Sequence, residues 1–400
     1  MLYDMNPIGA PKRLSFFLIN ILLFASLLSC ERDRVIEPAA DCLVRASERN
    51  GQVIPGSYII TYRPVEIPVA PGGRLASPAA SLLARHAIEG AVAETFSGPT
   101  NGFVAQLSES QARELATDPA VETVEPDRIV SLCSCVEVAL PTTLTWNIQQ
   151  TGFGRGDRQS EKTVWVLDTG IDLDHPDLNV DQSRSRSFVG NATLEAKEAD
   201  DANGHGTHVA GIIGARNNNI GITGVASGAK LVALKVLDSE GEGKLSTLVL
   251  VVNHVSRNGR AGDVVNISIG GEGTSASLER AIRAAADKGI LFSIAAGNDG
   301  KSTTEYSPAN INHPNVLTVS AMDRNGNFAP FSNYGPDVDV CAYGVRIQST
   351  YKDGRYASLS GTSMASPHVA GLLLIRGRNI PLNGFVQNDP DGQPDPIAKE

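Results

Sequence analysis

Three segments of this chain hold, in order, an acid, a histidine and a serine in settings suited to chemistry. Asp168 follows an apolar run directly, in Leu167-Asp168-Thr169-Gly170. His205 stands in Asn203-Gly204-His205-Gly206-Thr207-His208-Val209-Ala210-Gly211, with glycine on both sides so that backbone and a ligand can approach closely. Ser363 lies in Gly361-Thr362-Ser363-Met364-Ala365-Ser366-Pro367-His368-Val369-Ala370-Gly371. That segment opens a helix running through Leu374, whose free N–H groups and dipole favour negative charge developing at its start. Pro367 is tolerable in the first turn. A serine that loses its proton to a histidine, itself oriented by an acid, is the machinery of acyl transfer.

Taken singly, each segment is weak. Asp168 could be a structural acid at a strand end. His205 and His208 could share a metal, but zinc needs a third ligand and no His-Glu-x-x-His stands here. The Gly-x-Ser-x-Gly elbow of another hydrolase class fails at Ala365. The order acid, histidine, serine is what sets the three apart.

The elements that must carry them are buried strands and crossover helices. Thr163 to Leu167 and Leu231 to Leu237 are continuous apolar runs, suited to strands covered on both faces. Val264 to Ile269, Ile290 to Ala296 and Val316 to Ala321 follow, with helical stretches such as Leu278 to Lys288 between them. This alternation predicts an α/β fold with a doubly wound, mostly parallel sheet over residues 140–384. Chemistry then falls at the carboxyl ends of strands, where Asp168 stands.

Ahead of it, residues 57–131 predict a compact α+β unit. Ser57 to Tyr62 is β-rich, Leu75 to Glu89 has helical spacing, and Ala91 to Phe96 and Gly102 to Leu107 are strand-like. Ser108-Glu109-Ser110-Gln111 carries a capping-box pattern before a helix, and Val121 to Val130 closes the unit. The order β-α-β-β-α-β is the ferredoxin-like split, which by itself carries no function.

Together the three motifs resemble those of the subtilisin-like serine proteases, with details of the proteinase K branch. The resemblance implies that Ser363 attacks the scissile carbonyl, that His205 moves the proton and that Asp168 orients the imidazole. It implies that Asn298, in Ala295-Ala296-Gly297-Asn298-Asp299-Gly300, donates to the oxyanion. Standing alone before Asp-Gly, Asn298 is an ordinary turn residue. By the same resemblance Ser268-Ile269-Gly270 pairs with extended substrate, and Ala296 and Gly297 wall the pocket for the residue before the cut. Tyr306-Ser307-Pro308-Ala309 forms its floor, which implies broad apolar or aromatic specificity. Asp299 and Glu305 read as solvated surface charge.

Calcium is implied too. Arg216-Asn217-Asn218-Asn219-Ile220-Gly221-Ile222 resembles a structural calcium loop of the family, with Arg216, Asn218, Ile220 and Ile222 as ligands and Asp177 as carboxylate. Such an all-oxygen shell suits calcium, although an Asn-rich surface turn would look the same. No cofactor is implied for catalysis. Residues 57–131 resemble the inhibitory propeptide of such proteases, cut between about Val130 and Pro141.

Composition narrows the rest. The charge is 34 − 44 = −10, and no basic stretch alternates with aromatics, so nucleic acid is excluded as a partner. Lys12 and Arg13 precede an apolar run from Leu14 to Leu28, cut off by Glu31, Arg32 and Asp33. This predicts an export signal over 1–30. Leu27-Leu28-Ser29-Cys30 resembles a bacterial lipoprotein cleavage box, which makes Cys30 a lipid site and the only membrane contact. The expected location is the cell envelope, or outside it after processing.

Residues 31–56 are expected as a linker and 385–400 as a flexible tail. A disulfide from Cys42 to Cys133 or Cys135 would tether cut products, and Cys341 is expected as a buried free thiol. Partners are then protein substrates and the chain's own propeptide, with the molecule a monomer. Two other classes compete: a catalytically silent peptide-binding protein on this fold, and a metal hydrolase using His205 and His208.

Overall fold

The computed structural model describes residues 49–63, 77–88, 92–132, 135–138, 144–152, 161–190 and 196–400. The export signal, Cys30, Cys42 and Cys133 lie outside the described residues. Among those described, no helix is long and apolar enough to cross a membrane.

The first unit runs β1 (Val53–Tyr62), α1 (Pro78–Arg85), β2 (Val92–Phe96), β3 (Gly102–Gln106), α2 (Glu109–Leu115) and β4 (Val121–Ser131). Its strand order is β2-β3-β1-β4, as the ferredoxin-like split requires. The expected capping box closes α2: Gln111 N–H donates to Ser108 Oγ while Ser108 N–H donates to Gln111 Oε1. One face of this sheet holds a core of Ile60, Leu82, Leu83, Phe103 and Leu115.

Here the expected linker is too long. The unit starts before residue 57, because β1 begins at Val53 and Gly51 N–H already donates to Ile129 O at 2.9 Å. Polar Gly51-Gln52 and the turn-like Pro55-Gly56 mask a strand that continues across a bulge, where Gly56 takes φ 73°.

The second unit adds β5 (Cys135–Val138), α3 (Trp146–Thr151), β6 (Thr163–Asp168), β7 (Arg186–Ser187), α4 (His205–Gly214), β8 (Lys230–Lys235), β9 (Glu242–Lys244) and α5 (Leu245–Asn258). Then come β10 (Val264–Ile267), β11 (Gly271–Glu272), α6 (Ala276–Asp287), β12 (Leu291–Ala295), β13 (Tyr306–Ser307) and β14 (Val316–Met322). The last elements are β15 (Val340–Tyr343), β16 (Ile347–Tyr351), β17 (Arg355–Ser360), α7 (Thr362–Arg376), β18 (Leu382–Phe385) and β19 (Pro396–Ala398).

Nine strands form one sheet in the order β18-β19-β15-β14-β12-β10-β6-β8-β7, parallel except for β18 against β19. The side chains of β6 alternate between the two faces. Val164 and Val166 join α4 and α7 in one core, while Trp165 and Leu167 join α5 and α6 in the other. The strand order reverses between β6 and β10, so their carboxyl ends open a crevice.

The expected flexible tail is overturned. Strand β19 pairs in parallel with β15, Asp395 and Ile397 are buried, and Ser320 Oγ donates to Asp395 Oδ2 at 2.5 Å. A Pro- and Asp-rich composition signals disorder only when no sheet edge is available to take the strand. Here β15 offers that edge.

Helices α5 and α6 are covered on both sides. Ile59, Phe96, Val104 and Val130 of the small unit pack into the same core as α5, α6 and the large sheet. Strand β4 also pairs antiparallel with β9, which joins the two units through one ladder.

Candidate active site

Asp168 ends β6, His205 opens α4, and Ser363 is the second residue of α7. All three are buried. His205 Nδ1 lies 2.7 Å from Asp168 Oδ1, which also accepts Thr169 N–H at 2.8 Å. An ionised carboxylate only accepts, so Nδ1 carries the proton and Nε2 is left as the basic nitrogen. No hydrogen-bond partner reaches His205 Nε2. The Ser363 hydroxyl instead donates to Ser268 O at 2.9 Å. Asp168 and His205 are thus joined, while the Ser363 hydroxyl rests on a neighbouring carbonyl, a looseness common in such sites before a ligand tightens them.

Ser268 answers Ser363, since its Oγ donates to Ser363 O at 3.0 Å and in turn accepts Asn266 Nδ2 at 2.8 Å. Asn298 Oδ1 accepts both the N–H and the hydroxyl of Thr362, at 2.8 and 2.9 Å. With its oxygen so occupied, the Asn298 amide has Nδ2 left to donate. Asn298 and Ser363 line one pocket with Ala296, Gly297, Ile269 and Gly270. The pocket therefore brings the Ser363 hydroxyl beside two kinds of N–H donor, the Asn298 amide and the N-terminus of α7, an arrangement that can hold negative charge.

Three supports were not evident from the motifs. Asn333 braces the loop that carries Asn298: its Oδ1 accepts the N–H groups of Asp299 and Lys301, each at 3.0 Å, and its Nδ2 donates to Ala296 O. A lone asparagine so far along the chain carries no sequence signal. Thr362, the residue before Ser363, locks Asn298 through its N–H and hydroxyl. Asp201 accepts Thr169 Oγ1, the N–H groups of Asn203 and Gly204, and both N–H and hydroxyl of Thr207. The Asp-x-Asn-Gly spacing just before a helix was a legible capping signal for it.

His208 does not join His205. Its Nε2 donates to Ile347 O at 2.9 Å, and burial holds its pKa down to about 3, so it stays neutral. Among the described residues no group of three His, Cys, Asp or Glu side chains could hold a metal ion. The metal hydrolase reading loses its ligand pair. Cys341 is a buried free thiol, as expected. Tyr343 packs its ring edge-on against Trp146 and donates to Gln150 Oε1.

The expected calcium loop closes around Asp177. Arg216 N–H donates to Asp177 O at 2.8 Å and Ile222 N–H to Asp177 Oδ2 at 2.9 Å. Asn218 Oδ1 faces the same turn, accepting Ile220 N–H at 3.2 Å. Burial raises the Asp177 pKa, and its Oδ1 is buried with no partner. A buried carboxylate oxygen left without a partner, close to the Asn218 side chain, is the kind of oxygen donor a hard cation takes.

A subtilase family model matches residues 159–377, and a peptidase inhibitor I9 model matches residues 75–133. The chain is 40% identical to a thermostable alkaline protease of Halalkalibacterium halodurans, over 68% of this chain and 72% of that one. To subtilisin BL of Lederbergia lenta it is 44% identical, over 58% of this chain and 84% of the relative. A crystal structure of a cold-adapted subtilisin-like serine proteinase superposes with TM-score 0.54 at 29% identity, covering 64% of this chain and 98% of the other. The chain belongs to the subtilase family. It is a subtilisin-like serine endopeptidase that carries an inhibitor I9 propeptide ahead of its peptidase domain.

Proposed function

We propose that the protein is an exported endopeptidase that cuts itself free of its propeptide, with Ser363 as nucleophile, His205 as general base and Asp168 as its orienting acid. Asn298 Nδ2 and the Ser363 N–H hold the oxyanion. The observation that carries this reading is the path of the chain's own backbone. Ser131 N–H donates to Gly270 O at 3.4 Å and Leu132 N–H to Gly241 O at 3.2 Å, as an extended substrate would. Beyond the nucleophile, Cys135 pairs with Ser360, at the end of the strand that leads into α7. The bond cut then lies between Leu132 and Cys135.

Ser268, Ile269 and Gly270 form the substrate edge, and Ala296 and Gly297 wall the pocket before the cut. Its mixed lining, which includes Tyr306 and Ala309, supports broad apolar or aromatic specificity. Arg216, Asn218, Ile220 and Ile222 with Asp177 would hold a structural calcium, which supplies stability and no step of the chemistry. A lipid on Cys30 would keep the cut propeptide on the membrane while the peptidase leaves, unless Cys42 is bridged to a Cys133 or Cys135 that stays with the peptidase. A silent peptide-binding protein is the second class, and the intact set of catalytic side chains speaks against it.

Intact mass and N-terminal sequence of the precursor beside its Ser363→Ala twin test the reading. A parent that shortens to a start at residues 133–135, with the twin whole, supports it. If both stay whole in calcium, the assignment of Ser363 fails.

A further inference from the structure

The inhibitory segment does not lie in the cleft as a single strand. One edge of Ile129–Ser131 pairs with β9. On the other edge, Ser131 forms an isolated antiparallel bridge with Gly270. Residues of the same side of an extended strand recur every second position, so Ile129 presents its N–H and C=O in the same direction as Ser131. Those groups are taken by the start of β1: Gly51 N–H donates to Ile129 O and Ile129 N–H to Gln52 O, both at 2.9 Å.

This second strand also touches the peptidase directly. Arg49 Nη1 lies 2.8 Å from Glu242 Oε2, on the β9 side of the cleft. Gly51 takes φ 75° and sits against Glu272, where a Cβ would meet the Glu272 carbonyl oxygen at 2.8 Å. A Cβ on Gly271 would meet Asn50 Oδ1 at 2.9 Å. Arg128 Nη1 fastens the two strands by donating to Gly51 O at 2.8 Å.

Resting on the endopeptidase reading, we infer that the rim formed by Glu242, Gly271 and Glu272 is a second docking surface, and that its partner is Arg49–Gln52. This segment acts as a latch. It holds the cut propeptide in the cleft after the peptide bond is broken, and release of activity waits on its detachment.

The test uses the full precursor and two clocks: the mass change that reports cleavage, and turnover of a chromogenic peptide that reports release. Arg49→Glu reverses one rim contact and leaves the backbone alone; Gly51→Val blocks the close approach to Glu272. The expected result is cleavage at the parental rate with the interval between cleavage and activity shortened about fivefold by Arg49→Glu, the reach of one rim ion pair, and further by Gly51→Val. An unchanged interval in Arg49→Glu overturns the latch, whether or not Gly51→Val matures. A parent that never cleaves itself counts against the endopeptidase reading and not against the latch.

Discussion

Asp127 of the propeptide accepts two hydrogen bonds from Ser246 of the peptidase, its N–H at 3.1 Å and its hydroxyl at 2.7 Å. Helix α5 has Lys244 at its N-cap and no side-chain cap of its own. The propeptide supplies the missing cap and places a carboxylate at the positive end of the helix dipole. Glu125 does a similar service near α6 by accepting Ser275 Oγ at 2.9 Å.

Removing that cap should weaken the precursor. In the Ser363→Ala background, which cannot cut itself, Asp127→Ala should cost about 0.5–2 kcal/mol. The urea midpoint of unfolding checks it, and an unchanged midpoint would show that α5 holds its first turn without help.

For the chemical step, Asn298→Ala should lower kcat by about 10²–10³-fold with a small change in KM, the magnitude known for this donor in another member of the family. Asp168→Asn should lower it by about 10⁴-fold, because the amide can donate to Nδ1 and hold the imidazole in the wrong tautomer, with its proton on Nε2. Steady-state kinetics of the processed enzyme on a peptide amide measure both. Asn333→Ala should also lower kcat, through the Asp299 and Lys301 N–H groups it releases.

Propeptide stability should depend on pH through His86, whose ring bonds Asp118 at 2.9 Å and Glu114 at 3.2 Å, with Arg85 also at Asp118. The bond to Asp118 raises the His86 pKa above its ordinary value. Burial alone would lift Asp118, but the Ala120 N–H, His86 and Arg85 outweigh it and leave its pKa lowered. The His86 contribution is full below its unfolded pKa and is lost as pH rises through the raised folded one. The Asp118 contribution is full above its unfolded pKa and is lost as pH falls through the lowered one. Urea midpoints of the Ser363→Ala precursor should fall on the alkaline side, and His86→Gln should flatten that limb.

Chelation of calcium should lower the melting temperature without stopping turnover at once. At calcium near 100 times its Kd the bound ion adds about 2.7 kcal/mol, or roughly 5–10 °C for a domain this size. Scanning calorimetry with and without EGTA measures it, and Asp177→Asn should melt early and ignore EGTA.

The buried strands were legible because they are short continuous apolar runs between turn residues, and β6, β8, β10, β12 and β14 fall where those runs stand. The residues proposed for catalysis stood out because glycine-framed motifs surround them, and the fold brings Asp168 to His205 and Asn298 to the Ser363 pocket. What escaped was held by tertiary contact. Val53 to Pro55 continues a strand only because Ile129 and Arg128 lie opposite, and residues 396–398 form a strand only because β15 offers an edge. Asn333 reaches Ala296 from 37 positions away, a distance no local pattern spans.

Strand β9 has a further meaning for what the free enzyme can digest. With the propeptide gone, the lane that β4 fills between β9 and Gly270 stands open, with backbone donors and acceptors on both sides. Only a segment whose own backbone groups are unspent can fill it. A tightly folded protein has none to offer until part of it opens, so local unfolding of the victim, more than its sequence, should set how fast it is destroyed.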